Sequence, residues 1–541
     1  MTARLLRLTA AALILHLVLI QPNHPAALSW NALFLFPLEL PVILLGLVAV
    51  CGRPWGRSLR LAIVGALMVI AILKTADYAM FTALTRGFNP VADLPLVEAG
   101  LRLSIGAFGP VLTVAGVLGA LIAVALVAFA LWWATGVWAR LELKPGAARM
   151  AGVAAILVAG IAVAEIGHTM GRWTLPTPIP GTAFTARVGV ERTVMVRETL
   201  ADLRAFSKAA AQDDYADRPR VLDMIDRDVL IIFVESYGRA SLDTPLYAGT
   251  HRATLGTAEA RLGGLGLSMR SGLLRAPTRG GQSWLSHATF ANGLWIADQT
   301  SYGAALASER QTLFHMAAKS GFRTAAVMPQ ITLDWPEAAF MGFDTVLAAK
   351  DLGYQGLPFN WVTMPDQFTF AAMDRLLRAQ AAEKPLFVQI ALGSSHAPWL
   401  PVPELVDWDA IGNGEIFNPM TKVGDPPDVV WRDRDRVREQ YRLAVDYALR
   451  VVFDYAARHA AEAPLIFVVG DHQAAGFVAL DERFDVPIHV IGPDHLVERV
   501  TDWGWMEGLV PADDAAPQPM DQMRNLILET FSTPPRKGSS S

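Results

Sequence analysis

Two apolar runs in this chain end on groups that could hold a metal. In DVLIIFVESYGR, 228–239, six apolar residues run without a polar break into Glu235. LIFVVGDHQ, 465–473, runs in the same way into Asp471 and His472. Such a run, closing on polar residues and glycine, reads as a buried parallel strand. Ligand sites in open α/β sheets collect at the carboxyl ends of such strands. Two hard oxygens and one imidazole suit one divalent ion, Zn²⁺ or Mn²⁺. Taken singly, each has a blander reading: a strand-end Glu in a salt bridge, or a strand-end Asp capping a helix.

Two further places carry reactive side chains. In RGGQSWLSHATFANG, 279–293, Gly280, Gly281 and Gln282 precede Ser283. Glycines there let the backbone approach closely, and a helix starting at Ser283 would aim free N–H groups at an anion beside the hydroxyl. A serine as a plain helix N-cap needs no chemistry. In GSSHAPW, 393–399, His396 follows a buried strand and is fixed by Pro398; a histidine in such a turn serves structure as readily as catalysis.

The elements that must position these residues alternate. Apolar strands are expected at 229–234, 323–328, 386–392, 465–470 and 486–491, with helices between them at about 310–320 and 432–460. Tyr441, Ala444, Val445, Ala448, Leu449 and Val452 share one face of the second helix. Strand alternating with helix predicts a mostly parallel sheet covered on both faces. His489 lies within an apolar strand and reads as core.

The first third of the chain is a different material. Of 541 residues 52% are hydrophobic and mean hydropathy is +0.32, because residues 1 to about 168 hold nearly all the long apolar runs. Spans are expected at about 4–21, 31–51, 60–83, 109–134 and 150–167, each near the ~20 residues a bilayer requires. The first is read as a retained helix, not a signal peptide, because four more follow. Arg4 and Arg7, then Arg53, Arg57 and Arg60, then Arg140, Lys144 and Arg149 fall on alternate loops. The positive-inside rule therefore puts the N-terminus in the cytoplasm and everything after the fifth span outside.

Lys74 and Asp77 lie one turn apart inside span three and are read as a self-neutralising pair in preference to a lipid-headgroup site. Glu39, Glu165 and His168 invite the same caution. Loop 84–108 is amphipathic in part, as a helix on the membrane surface would be. Residues 169–227 read as a connector with a helix at about 191–211, and 511–541 as a C-terminal tail ending in PRKGSSS, read as a disordered end. Net charge of −5 gives no case for nucleic acid. Cys51 is the only cysteine, which excludes intrachain disulfides and cysteine-based zinc sites.

In order and approximate spacing, VLIIFVESYG, the Ser283 segment, SSHAP and VVGDHQ resemble the alkaline phosphatase and sulfatase superfamily over about 228–500. The five spans before it match one branch: the membrane-anchored phospho-head-group transferases, such as lipoteichoic acid synthase, phosphoglycerol transferases and phosphoethanolamine transferases. That branch opens its first strand with a single glutamate, as Glu235 does. SWLSHATFANG aligns with the sulfatase signature CxPSRxxxxTG, with Ser283 at the nucleophile; the branch generally has threonine there. Leu285 and His287 replace the proline and arginine read by the formylglycine-forming machinery, so Ser283 is expected to keep its hydroxyl and a true sulfatase is the weaker reading. Trp335, in LDWPEAAFMGFD, looks like the tryptophan that borders the lipoteichoic acid synthase pocket, but the arginine that follows it in the family is missing.

The resemblance implies a five-helix membrane domain (1–168), a periplasmic connector (169–227) and a sulfatase-like α/β domain (228–510). It implies one divalent ion, Zn or Mn, at Glu235, Ser283, Asp471 and His472. Ser283 would be the nucleophile, with His396 orienting phosphate or moving a proton, and Trp335, Arg279 and Trp284 at the substrate. The expected reaction moves phosphoglycerol or phosphoethanolamine from a membrane phospholipid to a glycan, lipid A or glycolipid acceptor, in the bacterial inner membrane with the catalytic domain periplasmic. The alternatives are a membrane-bound phosphodiesterase, phosphatase or sulfatase-like hydrolase, and a non-catalytic relative that kept the fold. Trp284, Trp295 and Trp399 are candidates for stacking on a sugar or for the lipid interface.

Overall fold

The structure is a computed structural model that describes residues 2–84, 86–177, 179–218, 220–333, 335–360, 363–379 and 384–534. The chain divides into two compact units, Met1–Leu203 and Arg204–Ser541. The PRKGSSS end lies outside the described residues.

All five apolar segments of the first unit form helices: α1 (Thr2–Leu19), α2 (Glu39–Ala49), α3 (Gly56–Leu84), α4 (Leu94–Ala139) and α5 (Pro145–Thr169). Four are long and apolar enough to cross a membrane; α2 has 11 residues. At 1.5 Å per residue it covers about 16 Å of a ~30 Å hydrocarbon core. The rest of the expected second span is spent on 3₁₀ turns before Pro37. The amphipathic stretch after α3 becomes the first part of α4, which kinks at Gly109 (φ 81°) and Pro110 before its apolar run.

The intramembrane charges have structural partners, and Lys74 and Asp77 are not paired with each other. Lys74 Nζ donates to the Leu19 carbonyl (2.9 Å) and to Thr185 Oγ1 (2.7 Å). Asp77 takes the Arg192 guanidinium at 2.6 Å and the Phe88 N–H at 2.9 Å. The helix α6 (Phe184–Ala210) supplies both Thr185 and Arg192. Its N-terminal amides are capped from two membrane helices: the Ala183 N–H donates to Glu165 Oε2 (3.0 Å) and the Ala186 N–H to Glu39 Oε1 (2.8 Å). Carboxylates belong at that end of a helix, where the dipole is positive.

The second unit is built on a nine-stranded sheet in the order β4-β3-β5-β1-β6-β7-β2-β8, with β9 paired to β2. Its strands are β1 (Val229–Val234), β2 (Ser268–Arg275), β3 (Arg323–Met328), β4 (Thr345–Ala348), β5 (Leu386–Ala391), β6 (Leu465–Gly470), β7 (Asp485–Gly492), β8 (Met506–Glu507) and β9 (Gln518–Pro519). β4 through β6 in that order run parallel, whereas β7 is antiparallel to β6 and β2 antiparallel to β7. Every residue of β1 is buried, and alternate side chains enter two cores. Leu230, Ile232 and Val234 meet Tyr441, Ala444 and Leu449 of the helix Arg434–Arg458. Val229, Ile231 and Phe233 meet Phe290, Phe314 and Phe467 on the other face.

Two readings are corrected here. β2, SMRSGLLR, carries arginine and glycine and gives no apolar run, so this strand is not visible in the chain, and the strand expected at 486–491 runs antiparallel to its neighbours. Residues 511–534 are no tail: β9 pairs with β2, and Met523, Ile527, Leu528 and Phe531 are fully buried in the second core. An eight-residue amphipathic helix hides this well, since its apolar face means nothing until a partner is known. His489 sits in the core as expected, between Tyr237 Oη (3.1 Å) and Ser271 Oγ (2.7 Å).

The ends of β1 and β6 are pressed together. A methyl group at Gly470 would lie 1.9 Å from the Tyr237 carbonyl oxygen. Backbone cannot yield as a side chain can, so Gly470→Ala is expected to cost about 1–3 kcal/mol. Thermal unfolding of the purified chain checks this; an unchanged Tm would show that the two ends are not held as described.

Candidate active site

Glu235, Asp471 and His472 converge. One ligand-type atom from each lies within 4.8 Å of the others, and all three are buried. Among the described residues this is the one group of three or more acidic, histidine or cysteine side chains so placed. Asp471 Oδ1 accepts the Ser236 N–H (2.8 Å) and the His472 N–H (2.6 Å), which fixes the carboxylate against the β1 end. His472 Nδ1 lies 3.1 Å from the Gln473 carbonyl, leaving Nε2 toward Glu235. That Nε2 is 3.1 Å from Glu235 Oε1 yet makes no hydrogen bond of acceptable direction. A buried imidazole nitrogen beside a carboxylate but misaligned with it fits two lone pairs that share a third partner.

The electrostatics point the same way. Burial alone would raise the Glu235 carboxyl, but the His472 imidazole outweighs it and holds the group below the usual carboxylate range. Burial raises Asp471 well above that range, and Glu235 beside it pushes further in the same direction. Burial opposes charge on His472, yet Asp471 and Glu235 lift it to about 9. The pocket thus demands positive charge, which a divalent cation would supply. Two oxygens and one nitrogen fit Zn²⁺ or Mn²⁺.

Ser283 opens the helix Ser283–Asn292 as its first residue. Gly280 (φ 73°), Gly281 (φ 141°) and Gln282 (φ 65°) turn the chain into it through three left-handed positions. This turn is tied to the metal loop: the Gly280 N–H donates to the Gln473 carbonyl at 2.7 Å. A Cβ on Gly280 would sit 3.3 Å from Ala475 Cα, so the close approach requires the glycine. Ser283, Glu235 and His396 line one cavity of about 430 Å³, together with Trp284, Trp335, His287, Tyr302 and Glu337. Its far end is formed by β3 and β5 through Met328, Gln389 and Ala391.

Arg279 takes no part in that lining. Its guanidinium donates to the Glu482 carbonyl (2.9 Å), pairs with the Glu482 carboxylate and lies over the Phe484 ring. Among the described residues no Lys or Arg lines the cavity. His396 has Nδ1 2.6 Å from the Ala397 carbonyl, so Nε2 is the nitrogen left for substrate. Trp399 is buried at 4% exposure and stacked on Trp431, which removes it as a sugar platform; Trp295 does not line the cavity.

His287 carried no assigned role in the sequence, and the structure gives it a place. It stands one helical turn from Ser283 on the same face, its ring tilted against Phe233 with centroids 4.1 Å apart, and its buried Nε2 has no hydrogen-bond partner among the described residues. Burial pushes it down to about 4, so it stands neutral at the cavity wall. Glu337, two residues after Trp335, and Tyr302 were likewise missed. Burial raises the Tyr302 hydroxyl to about 12, against a hydrogen bond with the Trp335 side chain and with added repulsion from Glu337. The i, i+4 spacing from Ser283 was the only available signal for His287.

The family model described as Sulfatase matches residues 227–523, more than half of the chain. The chain belongs to the sulfatase family. Solved structures similar to this sulfatase-family chain include the integral membrane lipooligosaccharide phosphoethanolamine transferase A (EptA) of Neisseria meningitidis, at 12% identity over 96% of this chain and 95% of that one, TM-score 0.46. The lipoteichoic acid synthase LtaP of Listeria monocytogenes is 13% identical over 54% of this chain and 71% of that one, TM-score 0.36. The phosphoglycerol transferase GacH of Streptococcus pyogenes, in complex with sn-glycerol-1-phosphate, is 14% identical over 62% of this chain and 92% of that one, TM-score 0.35. No curated protein matches the sequence.

Metal binding at the triad must displace protons. His472 of the metal-free chain is protonated below about 9, so a cation competes with that proton at neutral pH. Zn²⁺ affinity is therefore expected to rise between pH 6 and pH 8.5, with heats that differ between Mops and Tris. A pH-independent affinity in titration calorimetry would count against the triad as the ligand set.

Proposed function

We propose that the protein transfers a phospho-head group from a membrane phospholipid to a hydroxyl of a cell-envelope acceptor, through a covalent phospho-Ser283. The observation that carries this is a single cavity in which the Ser283 hydroxyl, at a helix N-terminus, meets Glu235 of the buried triad and His396. Helices that can cross a membrane make a lipid donor accessible to the same chain. The phosphoethanolamine and phosphoglycerol transferases among the similar solved structures accord with this reading.

Glu235, Asp471 and His472 would hold the divalent ion, with Ser283 as its fourth ligand. Bound there, it lowers the pKa of a neighbouring hydroxyl and polarises phosphoryl oxygens. Ser283 Oγ attacks phosphorus, the bond from phosphorus to the diacylglycerol oxygen breaks, and that oxygen takes up a proton. The acceptor hydroxyl then attacks the phosphorus, freeing Ser283 Oγ. His396, through Nε2, moves the proton between serine, leaving group and acceptor. Amides at the start of the Ser283 helix face the phosphoryl oxygens. In this reading the chain sits in a bacterial inner membrane with its N-terminus cytoplasmic and this domain periplasmic, the orientation that the loop charges favour. Trp284 and Trp335 border the head group; glycan, lipid A and glycolipid remain the acceptor classes.

Incubating the full chain with a total lipid extract and weighing the Ser283 peptide tests the reading. A phospho-head-group adduct is expected, absent in Ser283→Ala. Free head-group phosphate released at the same rate with and without a glycan acceptor would make the protein a hydrolase. Normal turnover by Ser283→Ala would end the covalent mechanism altogether.

A further inference from the structure

The cavity around Ser283 contains a second recognition element that the phosphoryl chemistry does not use. Its lining holds three electron-rich rings, Trp284, Tyr302 and Trp335, and one carboxylate, Glu337, outside the metal triad. Tyr302 and Trp335 are joined side chain to side chain, and Glu337 is near enough to repel charge from the Tyr302 oxygen. Trp284 is fixed by its indole N–H, which donates to Gln299 Oε1 at 3.1 Å. Glu337 lies half-buried in the 3₁₀ turn Pro336–Phe340, and among the described residues no Lys or Arg pairs with it.

Charge balance then selects the ligand. Glu235 and Asp471 together neutralise one divalent cation, which leaves the Glu337 charge unmatched in a cavity without Lys or Arg. A half-buried carboxylate beside aromatic faces is the environment that favours an ammonium group, through ion pairing and cation–π attraction together. A phosphodiester that ends in an ammonium adds no net charge to the cavity and brings a positive nitrogen for Glu337. A glycerol head group supplies hydroxyls alone, so its phosphodiester adds a second uncompensated negative charge beside that of Glu337.

We propose that the head group taken by this cavity bears an ammonium, with Glu337 as its counter-ion and Trp284, Tyr302 and Trp335 as the rings around it. This rests on the reading of Ser283 as acting on a phospholipid head group, and it chooses between the two head-group classes which that reading leaves open. The nitrogen takes no part in bond making; Glu337 is a specificity-determining residue.

The test compares two soluble diesters on the full, Zn²⁺-loaded chain in detergent: glycerophosphoethanolamine and glycerophosphoglycerol, by titration calorimetry. The amine is expected to bind about tenfold more tightly, the factor that about 1.4 kcal/mol of ion-pair and cation–π attraction provides. In Glu337→Gln the two affinities are expected to converge, and in Glu337→Lys to reverse, with Tm unchanged. Equal binding by the unmodified chain, tighter binding of the glycerol diester, or a preference that survives Glu337→Gln would each overturn the proposal. A second measurement weighs the Ser283 adduct formed from vesicles of equal phosphatidylethanolamine and phosphatidylglycerol. An ethanolamine adduct supports the proposal and a glycerol adduct overturns it. No adduct with either lipid overturns the covalent mechanism instead, while the binding comparison still decides the pocket.

Discussion

Three ionisable groups are buried at one spot where the only charge they share is their own. Glu235 and Asp471 sit at the ends of adjacent parallel strands, in register through Val234 and Gly470, and His472 follows at once. Two carboxylates removed from water so close together repel each other, and desolvation penalises both. The imidazole beside them is lifted in pKa, against its own burial, because both carboxylates favour positive charge on it. The arrangement makes chemical sense around a cation, and much of the second unit serves to enforce it.

The enforcement is steric before it is electrostatic. Gly470 and Gly238 leave room that any side chain would close: a Cβ on the first would meet the Tyr237 carbonyl oxygen, and on the second the Gln473 Oε1. Gln473 then acts as a spacer among three loops. Its carbonyl takes the Gly280 N–H, and its side-chain oxygen takes the Ala240 N–H at 3.2 Å. The nucleophile turn, the end of β1 and the metal loop are thereby fixed relative to one another, as a preorganised site requires. His396 arrives from β5 on the other side of β1, and the Ser395 hydroxyl donates to the Glu235 carbonyl at 2.7 Å.

In the first unit, buried charge is used for a different purpose. Lys74, Asp77, Glu39 and Glu165 each spend their polar atoms on backbone groups or on α6. A polar group in an apolar helix bundle must find a partner, and the first turns of α6, with free amides and an arginine, provide several. Lys74 and Asp77, read from their spacing as a self-neutralising pair, are with Glu39 and Glu165 the fastenings of one helix.

What was legible in the chain followed from continuity along it. Apolar runs marked β1, β3, β5, β6 and β7 because central strands, parallel or antiparallel, are buried on both faces, and strand ends marked Glu235, Asp471 and His472 because sites collect there. Glycines before Ser283 announced a turn into a helix. What required the tertiary structure depended on partners distant in sequence. Arg279 is drawn off by Glu482, β2 is recognised only by its pairing with β7 because its own sequence carries no apolar run, and the helix Met523–Thr530 is core only because a sheet face awaits it. His287 and Glu337 acquire meaning from a cavity whose walls come from four strands and the segments that follow them, β1, β2, β3 and β5. Local pattern fixes which elements form and what their ends carry; only packing decides which side chains face one another and which are already satisfied elsewhere.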